Sequence, residues 1–378
     1  MLRMLKRMTF AGLVVPLWLL GAAQAHADCN RPAPDAVVQV PVPGHPFSAI
    51  PSADGCTIFV SLTAKASHLI VLKRDNGAVS LLHDVAAEGG LTGMTLSPDG
   101  RFLAAANGTG VTLFDTAKLI SGADKPALGY LNDKSGAGSV YAAFSPDQHL
   151  LFVSDEDNQS ITVYDFQGLL AGKGTKAVGT IRTGDAPVGL AFSPDGKLLY
   201  STSEAASSGT ECSEGGGPRH GPGALMVIDV AKAAVTPADA VLARAAAGCS
   251  PVRVALSANG SRAYVSARGQ NMLMVFDTAA LLAGREALTQ KIAVGIAPVG
   301  VAVGQGKIFV TNSDRFGGGG NQSVSVLNEA ALSAPPVSIP AGGFPRELKF
   351  TSDGKTLLVT NFASGTLELV DLARLPVK

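Results

Sequence analysis

The chain has 378 residues, of which 46% are hydrophobic and only 16% charged. Thirty Lys and Arg residues balance thirty Asp and Glu residues, so the formal net charge is zero, which disfavours a nucleic-acid binder relying on a basic field and a disordered or acidic-tail protein. The 44 glycines lack a collagen period and therefore point to many turns.

Residues 1–27 read as a secretory signal peptide. Arg3, Lys6 and Arg7 give it a positive start. An apolar run from Met8 to Leu20 follows, and small residues flank cleavage sites after Ala25 or Ala27. The run is short for a membrane span of ~20 residues, and an uncleaved anchor is the competing reading. Cys29 follows His26-Ala27-Asp28 and not a small apolar triplet, which argues against a lipoprotein. No later stretch is long and apolar enough to cross a bilayer. Cleavage removes three basic residues, leaving 27 against 30, a net charge of −3, and it removes Trp18, the only tryptophan. The mature chain, residues 28–378, is expected as one domain, exported to the periplasm or secreted.

Along that chain a turn signal recurs at Asp54-Gly55, Asp99-Gly100, Asp147-Gln148, Asp195-Gly196, Asn259-Gly260 and Asp353-Gly354. The intervals are 45, 48, 48, 64 and 94 residues, and the last spans two units with a shortened turn at Gly304-Gln305-Gly306. Each turn separates two apolar strands, such as Val188–Phe192 and Lys197–Thr202. A third strand ends on Asp, as at Asp115, Asp165, Asp229 and Asp277, and a weaker fourth follows, as in Gln290–Val294. Short stretches ending on Gly122, Gly172 and Gly284 read as helical turns after the third strand. Four short strands repeated seven times predict an all-β fold, a seven-bladed β-propeller with four antiparallel strands per blade. The last unit lacks a fourth strand after Leu367–Asp371. Ala36–Val42 supplies one and is expected to close the ring, which limits exposed sheet edges.

Phe309-Val310-Thr311-Asn312 and Leu358-Val359-Thr360-Asn361, together with Ser97-Pro98-Asp99-Gly100 and Ser193-Pro194-Asp195-Gly196, resemble the YVTN-repeat family of seven-bladed propellers. The resemblance covers residues 36–373. Gly343-Phe344-Pro345-Arg346 is similar to the lactonase-family propellers, which include 6-phosphogluconolactonases. WD40 repeats fit less well, because no Trp-Asp pair occurs. The resemblance implies an architecture and, more distantly, hydrolysis of a lactone.

With strands a to d numbered outward from the channel, a–b turns share one face with c–d loops, while b–c loops share the other with d–a connections. Cys29 and Cys56 fall on the first face, near the ring closure. Cys212, in the long b–c loop of blade four, and Cys249, in the following connection, fall on the second. The fold therefore selects Cys29–Cys56 and Cys212–Cys249 among three connectivities. A metal site of Cys212, Cys249 and His220 is the rival, without a Cys-x-x-Cys to support it.

Strand a lines the channel, and its side chains alternate. Ala49, Met94, Ala142, Leu190, Val254, Val301 and Leu348 form an apolar set assigned to the core between blades. The other set is assigned to the channel: Ser48, Gly93, Tyr141, Gly189, Arg253, Gly300 and Glu347, then Ile50, Thr95, Ala143, Ala191, Ala255, Ala302 and Lys349. Small residues leave room, and the few polar ones become candidates. Arg253, Glu347, Arg346, Lys349 and Tyr141 are the expected ligand contacts, suited to a carboxylate or phosphate, with Glu347, Arg253 and His45 as catalytic candidates. The competing reading is a structural ion network in a wet channel. Asp155, Glu156 and Asp157, with Glu204, offer hard oxygens for Ca²⁺ or Mg²⁺, although the spacing is not that of an EF-hand and a solvated turn competes. No cofactor is otherwise expected.

Two enlarged b–c loops, Ser203–Gly223 and Phe316–Asn321, point to this face as the working one, with mere tolerance of insertion as the competing reading. No Gly-x-Ser-x-Gly or His-Glu-x-x-His occurs. The functional expectation is a monomeric binding or scaffold module, taking a small-molecule or protein ligand at the channel mouth. A lactonase-type hydrolase is the alternative, and an accessory subunit of a periplasmic redox system a further one.

Overall fold

The computed structural model describes residue 29 and residues 31–63, 67–132, 137–213, 219–317 and 321–375. The expected signal peptide, residues 1–27, lies outside the described residues. Seven four-stranded antiparallel sheets surround a central axis. Blade 1 runs through Pro46–Pro51, Thr57–Leu62, Ser67–Asp75 and Ala78–Ala87, and blade 2 through Met94–Leu96, Phe102–Ala106, Gly110–Asp115 and Ala127–Asn132. Blade 3 comprises Ser139–Phe144, Leu150–Asp155, Ser160–Asp165 and Gly179–Arg182; blade 4, Asp185–Phe192, Leu198–Ala205, Ala224–Asp229 and Val241–Ala246. Blade 5 comprises Pro251–Leu256, Arg262–Ala267, Met272–Asp277 and Leu288–Ala293; blade 6, Pro298–Gly304, Lys307–Asn312, Ser323–Asn328 and Val337–Pro340. In blade 7, Pro345–Phe350, Thr356–Asn361 and Thr366–Asp371 are completed by Val37–Pro41, which pairs with Thr366–Asp371 through Gln39 opposite Glu368. The ring closes as the sequence predicts.

Strands b and c are packed on both faces, so they read as continuous apolar runs, whereas outer strands such as Val241–Ala246 alternate between exposed and half-buried. Clusters between adjacent blades form the core. Between blades 7 and 1, for example, Ile58, Val60 and Ile70 meet Leu358, Leu367 and Leu369.

The recurring Asp-Gly has a definite cause. In blade 2 the Ser97 hydroxyl donates to Asp99 Oδ1 (2.6 Å) and accepts from the Phe102 N–H, while Asp99 Oδ1 also accepts from the Arg101 N–H. Gly100 takes φ 74°, a left-handed conformation that glycine adopts without a Cβ penalty. The same side-chain turn is built on Ser52, Ser145, Ser193, Ser257 and Thr351. The Asp that ends strand c caps a short helix: Asp115, Asp165, Asp229 and Asp277 each accept a backbone N–H from the first helical turn.

On the opposite face, strand a enters through proline in blades 1 and 4–7, and six of the seven a strands carry a register shift at that entry. Behind the bulge a hydroxyl relay ties one blade to the next. Thr202 Oγ1 accepts from the Gly189 N–H (3.0 Å) and donates to Val252 O (2.8 Å) of blade 5. Ser266, Thr311 and Thr360 repeat this between later blades. The YVTN-like Thr is therefore an inter-blade tie.

Both disulfides form as the face argument selects. Cys29 and Cys56 have Cα atoms 4.9 Å apart, and Cys212 and Cys249 are at 5.4 Å. No described helix is long and apolar enough to cross a membrane.

Candidate functional site

On the face bearing the Cys212–Cys249 bridge, strand-a residues gather in two layers at the axis. The outer layer is a ring of strand-a residues that sequence reasoning missed: Phe47, Val140, Val188, Val252 and Val299, all buried and in mutual contact. Its signal was the residue following each entry proline, as in Pro187-Val188, Pro251-Val252 and Pro298-Val299. At the equivalent place in blade 7 the ring has Arg346.

The inner layer holds the expected polar residues. Arg253 of blade 5 reaches across to Glu347 of blade 7, with Nε donating to Oε1 at 2.9 Å and Nη2 donating to the same oxygen. The Arg253 guanidinium also lies 4.8 Å from the Tyr141 ring centre, in blade 3. The Tyr141 ring fills the space left by Gly93, where a Cβ would lie 2.1 Å from Tyr141 Cδ2. The glycines of this row therefore admit the neighbouring blade and do not simply widen the channel: at Gly189 and Gly300 a Cβ would meet the next strand's carbonyl. Ile50 and Ala302, also assigned to the lumen, pack into inter-blade clusters. Arg253 and Glu347 are both buried, at 5% and 8% exposure, so their charges are committed to one another. Desolvation opposes the Arg253 charge, but Glu347 overrides it and the guanidinium pKa is raised. Burial and the Glu347 carboxylate raise the Tyr141 phenol, which stays neutral. Lys349 sits two residues nearer the a–b turn and is solvent-exposed. Desolvation by the surrounding strands lowers its ammonium pKa and Glu347 opposes this. Exposure to water in the lumen carries more weight, and the ammonium stays charged.

Arg346 is different. Its guanidinium lies 3.8 Å from the Phe47 ring centre, 5.7 Å from Phe344 and 5.9 Å from Phe362. Its Nε is buried without a hydrogen-bond partner. Burial, then repulsion from Arg253, pulls its pKa down to about 9, with Glu347 only partly offsetting them. A buried N–H without an acceptor carries its full desolvation penalty. Arg315 adds positive charge beside Phe344, at 5.4 Å from that ring. His45 stacks on Phe362 (4.9 Å) and its Nδ1–H donates to Phe362 O (2.8 Å), so the neutral ring presents a basic Nε2. The structure thus gathers Arg253, Glu347 and Tyr141 in one layer, sets Arg346 and His45 above it on shared aromatics, and leaves Lys349 apart.

Of the acidic candidates, Asp155 and Glu204 are held by protein donors. Asp155 is buried and accepts from Ser139 Oγ (2.6 Å) and Thr162 Oγ1 (2.5 Å). Glu204 forms a two-bond ion pair with Arg268, at 3.0 and 2.7 Å. Desolvation and then the Glu204 charge raise the Glu156 pKa, with Arg253 and Arg346 opposing. Asp157 is exposed and packs against Gly138. Among the described residues no group of three or more His, Cys, Asp or Glu side chains is arranged to hold a metal. Cys212, placed in the rival metal site with His220, is spent in its disulfide.

Comparison with known proteins agrees with this fold. No curated protein matches the sequence. The chain superposes on a chain of the Kuenenia stuttgartiensis hydrazine synthase with a TM-score of 0.68 at 18% identity, over 89% of this chain and 97% of that one. It superposes on a chain of a mitotic checkpoint complex with a TM-score of 0.65 at 15% identity, over 97% and 99%. At such identities the likeness is one of fold. The family described as "Lactonase, 7-bladed beta-propeller" matches residues 132–298, from the end of blade 2 to the entry of blade 6. Over that stretch the chain is similar to the lactonase-type seven-bladed propellers.

Proposed function

We propose that this is an exported binding propeller whose mouth accepts a small anion, carboxylate or phosphate, through Arg346, with Arg315 at the rim. The observation that carries the reading is Arg346 itself: a guanidinium packed on Phe47, with a buried Nε–H that lacks an acceptor, beside a second arginine that repels it. An anion would supply the acceptor and relieve the repulsion. The apolar ring forms the floor of the site, and Arg253 and Glu347, already paired, lie in the layer beneath it. The two disulfides fit an oxidising compartment and so favour export.

A second reading, lactone hydrolysis, is favoured by the family match over residues 132–298 and by His45, whose basic Nε2 belongs to a ring sharing Phe362 with Arg346. In it His45 would draw a proton from water and Arg346 would steady the oxyanion. The readings separate in one experiment. Sugar lactones and homoserine lactones are offered to the mature protein, and acid release is followed by pH-stat. Turnover abolished in His45→Ala supports hydrolysis. No turnover, with an anion-dependent rise in melting temperature that Arg346→Met removes, supports binding alone. Neither turnover nor a rise would sink both readings.

A further inference from the structure

Glu368 lies in strand c of blade 7 with no exposed surface, opposite Gln39 of the strand that closes the ring. Its Oε2 accepts three N–H groups: Asn361 Nδ2 at 3.0 Å, Gln39 Nε2 at 3.1 Å and the Gly342 backbone at 3.3 Å. Its Oε1 is buried with no hydrogen-bond partner, and so is Asn361 Oδ1. Two acceptors thus lack donors on side chains that are already joined by an N–H···O bond. Flipping the Asn361 amide gives no remedy, because Nδ2 already serves Thr366 Oγ1 (3.2 Å) as well as Glu368.

An ionised carboxylate only accepts, whereas a protonated one has a hydrogen to give. A proton on Oε1, donated to Asn361 Oδ1, satisfies both orphan oxygens and closes the two-bond ring that a carboxylic acid and an amide form face to face. We propose that in the closed propeller Glu368 is a neutral carboxylic acid paired with Asn361, a proton-binding site built into the seam of the ring. The surroundings agree. Strand b of blade 7, the closing strand Val37–Pro41, the connection 341–344, and strands c and d of blade 6 on the facing side carry no titratable residue. No neighbouring cation therefore favours the charged form. Desolvation raises the Glu368 pKa, and the three N–H bonds to Oε2 only partly offset it.

The seam then responds to pH with a definite sign. A carboxyl whose folded pKa is raised contributes stability that is fully present below its unfolded value, ~4.3, and is lost as pH rises toward the folded value. Within that window the folding constant falls about tenfold per pH unit from this one proton. Glu368→Gln supplies the same hydrogen as an amide N–H and cannot ionise. Urea unfolding of the full mature chain and this variant is compared from pH 4 to 8. The ratio of variant to wild-type folding constants should rise with pH from about pH 4.5 and then level off. Parallel profiles would overturn the proposal. An independent measurement does not use that variant: infrared spectra at pH 6, where exposed carboxylates are ionised, should retain a protonated-carboxyl carbonyl band that persists in Glu156→Gln, the other carboxyl raised by burial, and so belongs to Glu368. Its absence would overturn the proposal, whether or not Glu368→Gln folds.

Discussion

Arg253 and Arg346 lie close enough to repel one another, yet they have opposite circumstances. Arg253 is buried against Glu347, and its removal leaves a buried carboxylate with no counter-charge. Breaking a buried pair from one side typically costs about 3–5 kcal/mol, whereas replacing both partners by apolar groups is often close to neutral. Arg253→Met should therefore destabilise the protein by about 3 kcal/mol in urea, and Arg253→Met with Glu347→Leu should recover most of it. Equal losses in the single and double variants would show that packing, not charge, holds this layer. Arg346→Met should change stability by less than about 1 kcal/mol, because no hydrogen bond to Nε is lost and its ring contacts are largely kept. The sequence singled out Arg253, Glu347 and Tyr141 because each interrupts a row of small residues, and Arg346 through the Gly343-Phe344-Pro345-Arg346 motif. Their division of roles was not legible there, since it depends on which side chain reaches across the axis to which blade. Nor was the aromatic setting of Arg346, built from Phe47, Phe344 and Phe362 on three separate segments.

At the level of elements, the repeats are held by side chains that bond to backbone. The Ser97–Asp99 turn keeps the Asp99 carboxyl well below its usual range: burial raises it slightly, but donors from Ser97, Gln148 and Arg101 outweigh that. Asp147 and Asp353 are lowered in the same way by their own turns. A depressed carboxyl contributes stability that is present above the unfolded pKa of ~3.9 and is lost as pH falls through the folded value. The melting temperature should therefore fall steeply below about pH 4, and less steeply in Asp99→Asn. An unchanged acid limb in that variant would show that the turns do not set the acid sensitivity. The hydroxyl relay makes a second prediction. Thr202→Val keeps the shape but leaves the Gly189 N–H and Val252 O without partners, and should cost about 1–3 kcal/mol. A cost near zero would mean that the tie between blades 4 and 5 is dispensable. The Asp-Gly turns and the Asp caps were readable, because local side chain–backbone bonding fixes residue types at short range. The relay was not, since its acceptor lies 50 residues away in Thr202 and Val252.

For the whole molecule, periodicity determined the architecture, including the closing strand and both disulfides, since each follows from counting strands around a ring. What periodicity could not convey was the cluster at the axis, where Phe47, Val140, Val188, Val252 and Val299 from five blades pack together. The proposed function places an anion site at the channel mouth, centred on Arg346. Calorimetric titration of phosphate and of gluconate into the mature wild-type protein and Arg346→Met tests it most directly. The claim predicts saturable binding of at least one anion to the wild type, weakened about 10–100-fold in the variant, as for a lost hydrogen bond to a charged group. Binding of equal strength to both proteins, or no binding of either anion to the wild type, would contradict it.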